Sequence, residues 1–246
     1  MRRLLLLLVF GCIMVCGCST LSLDKKVENN VFVSRSEPNV RVEVNPSFTY
    51  IGNISTSRHH QKVQGTQRLL VKYNSYVFAN IDNNNYIRQG VIIRLDKVSK
   101  SFWQSDLFSD IKNKLISDYI DIDGESYEHF ISVRSDIFTK DEIDYIISEG
   151  MKNIVETTDK IGRLNYRGYS IPKCFMVEGF GKRAGVGNDL RLSIYYYEDL
   201  VDIDDEFKCK DWVRGDVSGD ELDRAFKIFT ERRKNDLSIT KMIRKR

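Results

Sequence analysis

Leu190, Leu192, Ile194 and Tyr196 alternate with Arg191, Ser193, Tyr195 and Tyr197. A two-residue period sends alternate side chains to opposite faces of a pleated strand, and a helix cannot use it. The same pattern sets Val40, Val42 and Val44 against Arg41 and Glu43, ending near Pro46, and residues 48–54 continue in that manner. Turn formers separate further apolar runs. Asp82-Asn83-Asn84-Asn85 divides 68–81 from 86–95, and Asp123-Gly124 divides 119–122 from 125–133. Asn, Asp and Gly tolerate the positive φ that a tight hairpin demands. Residues 174–179 and 190–197 flank a glycine-rich loop at 181–188, a third hairpin, with one face of 190–197 buried. Residues 55–66 read as a loop. Strands that pair with their sequence neighbours predict an α+β fold around a mainly antiparallel β-sheet.

Two or three helices complete that expectation. Residues 107–115 have helical spacing, with Ile111 and Leu115 four apart. Thr139-Lys140-Asp141-Glu142 is a capping box, Phe138 and Ile143 form a staple across it, and Gly150 is a fitting stop, so 140–149 reads as a helix. Ser218-Gly219-Asp220-Glu221 repeats the device between Val217 and Leu222. It opens a helix near the C-terminus with Leu222, Phe226 and Phe229 on one side.

The first residues belong to a different grammar. Arg2 and Arg3 precede an apolar run from 4 to 15, and small residues follow. Charge, apolar core and small residues in that order mark a secretory signal peptide. The run is short of the ~18–20 apolar residues that cross a bilayer as a helix. Val15-Cys16-Gly17-Cys18 resembles the lipobox of bacterial lipoproteins: an apolar residue, a tolerant position, a small residue, then Cys. Cys16 departs mildly from the Ala or Ser usual at the tolerant position. The resemblance covers only the first nineteen residues. It implies cleavage between Gly17 and Cys18 and acylation of Cys18, so that membrane lipid is the first partner. The rival box ending at Cys12 would leave an apolar core below the ~7–15 residues expected. Ser19 in place of Asp implies outer-membrane sorting, facing the periplasm, in a host that has an outer membrane.

The expected organisation is a signal peptide at 1–17, a lipidated N-terminus and flexible tether at 18–38, one α+β domain at 39–234 and a basic tail at 235–246. The 246 residues carry 38 Lys and Arg against 35 Asp and Glu, and Arg2 and Arg3 leave with the signal. Basic residues concentrate at the C-terminus (Arg232, Arg233, Lys234, Lys241, Arg244, Lys245 and Arg246), so the remaining body is mildly acidic. That argues against nucleic acid as a partner. Cys174 and Cys209 remain beyond the lipobox, and in an oxidising compartment they read as one disulfide, with two buried thiols as the alternative. A nucleophilic Cys174 would need His129 as its base, and nothing local pairs them.

Other motifs are weighed against bland readings. "GFGKRAGVG", 179–187, lacks the Ser or Thr and the helix of a P-loop, so it reads as a hairpin loop whose Lys182 and Arg183 could meet an anionic partner. Asp199, Asp202, Asp204, Asp205 and Glu206 lack the calcium-loop order and read as a solvated turn. His59, His60 and His129 lack zinc-ligand spacing, so no metal is expected, nor any cofactor. No Gly-x-Ser-x-Gly elbow occurs. Tyr195, Tyr196, Tyr197, Trp103 and Trp212 could stack on cell-wall glycan, although strand aromatics more often pack in cores. The expectation is a membrane-anchored, non-catalytic binding or assembly module whose partner is an envelope protein. The alternatives are an envelope enzyme such as a cell-wall hydrolase, or a direct glycan-binding module.

Overall fold

The computed structural model describes residues 24–61, 68–98, 107–108, 111, 114–134, 165–166, 169–170, 172, 174–185, 187–203 and 209–242. In chain order the strands are β1 (Lys25–Glu28), β2 (Val31–Ser34), β3 (Val40–Val44), β4 (Thr49–Gln61), β5 (Arg68–Ile81), β6 (Ile87–Val98), β7 (Lys114–Ile122), β8 (Glu125–Arg134), β9 (Asn165–Tyr166), β10 (Tyr169–Ser170), β11 (Phe175–Ala184), β12 (Leu190–Asp199) and β13 (Leu237–Lys241). Helices α1 (Cys209–Arg214) and α2 (Gly219–Asp236) stand between β12 and β13. Seven strands form one sheet in the order β4-β5-β6-β12-β11-β8-β7, and four form a second in the order β1-β2-β3-β13. Every pairing within them is antiparallel. The fold is therefore mostly antiparallel β-sheet with a long helix near the C-terminus.

The hairpins form where turn chemistry puts them. Asn85, at φ 57°, lies in the β5–β6 turn, and Asp123 at 53° with Gly124 at 73° closes β7–β8. Ser218 caps α2, its Oγ accepting from the Glu221 backbone N–H at 3.3 Å. Phe229 is fully buried from that helix.

The large sheet is buried on both faces at its centre. One face packs the small sheet and α2, in a cluster that includes Phe32, Val42, Phe78, Ile93, Ile194 and Phe229. On the other, Leu107 and Phe108 pack over Val77, Phe130, Phe175 and Tyr197. The backbone of Leu107 is held from both sides. Its N–H donates to Glu128 Oε2 at 2.5 Å, and its carbonyl accepts from Arg191 Nη2 at 2.5 Å. Strand β12 is thus buried on both faces, where its alternation suggested one. A strand with Tyr on its second face looks half-polar until another segment covers it.

Several boundaries differ from the sequence expectation. The segment expected as a tether to residue 38 is folded from Lys25, because Asn29 and Asn30 take φ of 49° and 58° and turn β1 onto β2. Four-residue strands carry too little periodicity to register in sequence. At the other end, 237–241 is not tail but β13, paired along the whole of β3. Strand β4 runs through Gln61, so 55–61 is strand rather than loop. Residues 107–115 do not form one helix: Leu107 and Phe108 lie in a turn and β7 begins at Lys114. Ile111 joins the second cluster and Leu115 the first, so the four-residue spacing never faces one way. The capping box at 139–142 and its helix lie outside the described residues.

The glycine-rich loop is also shorter than expected, since β11 continues to Ala184. Gly179 and Gly181 are strand residues with a packing role. A Cβ at Gly179 would fall within the Phe130 ring, and one at Gly181 would strike Phe108 and Leu107. Both edges of the large sheet, β4 and β7, carry a bulge, between Tyr50 and Gly52 and between Lys114 and Ile116. Bulges twist an edge away from unwanted pairing.

Candidate functional site

Two glutamates stand where α2 crosses the large sheet, and both are buried: Glu178 from β11 and Glu198 from β12. A carboxylate cannot leave water without partners. The partners come from consecutive residues of α2. Arg233 donates to Glu178 through Nε at 2.7 Å and Nη2 at 3.1 Å, a bidentate clamp, and its guanidinium lies 5.3 Å from the Phe180 ring centroid. Arg232 pairs with Glu198 and donates to the Asp202 carbonyl at 3.1 Å. Glu198 sits beside Tyr196, whose hydroxyl donates to Asp236 Oδ2 at 3.0 Å. Burial, then the charges of Glu198 and Asp236, push the Tyr196 hydroxyl well above the ordinary tyrosine range. Burial raises Glu198 as well, with Arg232 opposing it.

The array continues from Glu178 toward solvent. His129 of β8 bridges Glu178 and Asp118, with Nε2 2.9 Å from Glu178 Oε1 and Nδ1 2.6 Å from Asp118 Oδ1. Asp118, on edge strand β7, is 54% exposed. Burial alone would lower the His129 pKa. The hydrogen bonds to Glu178 and Asp118, and their charges, outweigh burial and raise it. The groups facing the ring are Asp118 from β7, Glu178 from β11 and Phe180, with Arg233 behind Glu178. The sign follows from linkage. A raised folded pKa stabilises fully below the unfolded value near 6.5 and is lost as pH rises through the folded value. Urea unfolding of the wild type and His129→Gln should therefore give a difference that shrinks from pH 6 to pH 9. A constant difference would show that His129 does not titrate through these contacts.

A second cluster lies at the start of β6 and the end of β12. Arg88 stands 3.2 Å from Asp82 Oδ2, 3.3 Å from Asp202 Oδ1 and 3.9 Å from Asp199 Oδ2. Tyr86 donates its hydroxyl to Asp199 Oδ2 at 2.5 Å. The described part of the acidic run is thus built around a guanidinium. Among the described residues, no three His, Cys, Asp or Glu are placed to share a metal ion.

The residues singled out from sequence scatter. Gly17 and Cys18 lie outside the described residues. Cys174 and Cys209 come together, with Cα atoms 5.7 Å apart. Lys182 is engaged within the fold: it pairs with Glu125, which also takes Lys241 Nζ at 2.7 Å, and it lies 5.7 Å from the Tyr127 ring centroid. Arg183 is half-buried in β11 opposite Arg191, inside a strand and not on a loop. Tyr196, Tyr197 and Trp212 are core side chains, and Tyr195 packs edge-on against Phe108 and Phe130. Trp103 lies outside the described residues.

The Asp118–His129–Glu178–Arg233 array has no counterpart in the sequence reading. One signal pointed to it. Glu178 and Glu198 interrupt apolar strands on the face that α2 covers, and a carboxylate at a core position demands a cation. No family model, curated protein or solved structure matches this chain.

Proposed function

We propose that this chain is a bacterial envelope lipoprotein, held to the membrane through an acylated Cys18, whose folded body is a non-catalytic binding or assembly module for an envelope protein. The observation that carries the reading is the order Arg2-Arg3, apolar run, Val15-Cys16-Gly17-Cys18. No helix among the described residues is long and apolar enough to cross a membrane, so a lipid anchor supplies an attachment those helices do not. Each acyl methylene buried adds about 0.8 kcal/mol, so two or more chains hold stably.

The polar array supports a scaffold role. Its arginines spend their hydrogen bonds on buried glutamates of the same chain, which fixes α2 and β13 on the sheets. The same reading takes 140–149 as a third helix and Cys174 with Cys209 as a bridge, the latter suited to an oxidising compartment. The test is the intact mass of protein taken from its native membrane. A mass of Cys18 onward plus acyl groups supports the anchor. An unprocessed chain, or one cut without lipid, refutes it.

A further inference from the structure

The tether is much shorter than the sequence suggests, and that restricts how the body can face its membrane. β1 begins at Lys25, seven residues after Cys18. An extended chain of that length spans at most about 25 Å. The end of the molecule where β1 begins must therefore lie near the bilayer that holds Cys18.

That end carries three lysines, Lys25, Lys72 and Lys97, that form no ion pair among the described residues. Lys72 of β5 and Lys97 of β6 are directly opposite one another across the sheet, and both are exposed. Like charges in that relation repel. Lys25, from β1 of the small sheet, comes close enough to Lys97 to feel its charge. Burial, then Lys97, lowers the Lys25 pKa, and Asp24 opposes this. Among the described residues, no carboxylate forms an ion pair with Lys25, Lys72 or Lys97. Elsewhere at the same end, Lys182 and Lys241 share Glu125, so two lysines there do have a carboxylate partner. The opposite end of β6 adjoins Asp82, Asp199 and Asp202 around Arg88. At 3.3 Å per residue, that acidic cluster is roughly 33 Å from Lys97.

We propose that the corner formed by Lys25, Lys72 and Lys97 is the surface this protein sets against the anionic phospholipid headgroups of its own membrane, with the Asp82, Asp199 and Asp202 end directed away. The proposal rests on the lipid-anchor reading. Headgroup phosphates supply the ion-pair partners that these lysines lack among the described residues, and the short chain from Cys18 holds them within reach. The body then stands with its strands steeply inclined to the bilayer and presents its acidic end to the partner.

The experiment uses the full lipidated protein in vesicles of phosphatidylcholine, with or without one-third phosphatidylglycerol. Flotation reports anchoring, and labelling by an amine-reactive reagent, read by mass spectrometry, reports contact. Lys72 and Lys97 should be labelled about threefold less in anionic vesicles than in neutral ones, and 1 M salt, with its Debye length of about 3 Å, should remove the difference. Lys114, at the far end of the strands, should be labelled equally in both. Flotation with both vesicles but equal labelling of Lys72 and Lys97 would overturn the corner while leaving the anchor standing. Failure to float with either vesicle would remove the anchor and this proposal together. Equal protection in neutral vesicles by soluble glycerol phosphate would assign the corner to a free anion and overturn the membrane contact.

Discussion

Replacing Arg233 with Met should lower the unfolding free energy by about 3–5 kcal/mol, the usual cost of stranding one partner of a buried ion pair. Glu178 is 2% exposed and cannot turn to water when its clamp is removed. Urea denaturation at neutral pH measures the loss. The double variant Glu178→Gln, Arg233→Met should recover much of it, because a neutral amide needs no counter-charge and still bonds His129. A loss below about 1 kcal/mol for the single variant would mean that Glu178 does not depend on Arg233. Arg232→Met should behave differently. Glu198 already sits above the ordinary glutamate range through burial, with Arg232 holding it down. Without Arg232 it takes up a proton more readily, so the defect should shrink as pH falls toward 5.

Substituting both Cys174 and Cys209 with Ser should lower stability by about 3–4 kcal/mol, the chain-entropy value for a loop of this size. The two cysteines are 35 residues apart in sequence. Cys174 leads directly into β11, and Cys209 opens α1, whose Trp212 packs into the main core. The link therefore joins the central strands to the helical segment before α2. Urea midpoints with and without reductant should differ in the wild type and coincide in the double variant. Coinciding midpoints in the wild type would show that the two thiols are not bridged.

The hairpins were legible because their turns are local. Asp123 and Gly124 take positive φ for reasons contained in their own side chains, and the Ser218 cap needs only residues three apart. The short strands β1, β2 and β13 were not legible. Each is four or five residues long, too short for its periodicity to register, and the partner of β13 is distant in sequence. β13 pairs with β3 across almost the whole chain. Spacing misled at Ile111 and Leu115 for a related reason: Leu115 belongs to β7 and packs in one core, while Ile111 packs in the other.

The candidate site divides along the same line. Glu178 and Glu198 were visible as acidic residues within apolar strands, and Arg232 and Arg233 as basic residues beside a predicted helix. Nothing local connected them, because their contacts span 55 and 34 residues. His129 read as solitary until β7 and β11 came to either side of it. Lys182 looked available until Glu125 closed on it.

The sequence by itself determined the strand-rich class, the capped C-terminal helix and the expectation of a lipid anchor at Cys18, because periodicity, capping and peptidase signals are written in neighbouring residues. Only the tertiary structure decided which charges are buried, which are paired and which, like Lys72 and Lys97, are left facing outward together. A charge is neutralised by whatever stands within a few ångströms of it, and in an antiparallel sheet that neighbour is seldom near in sequence.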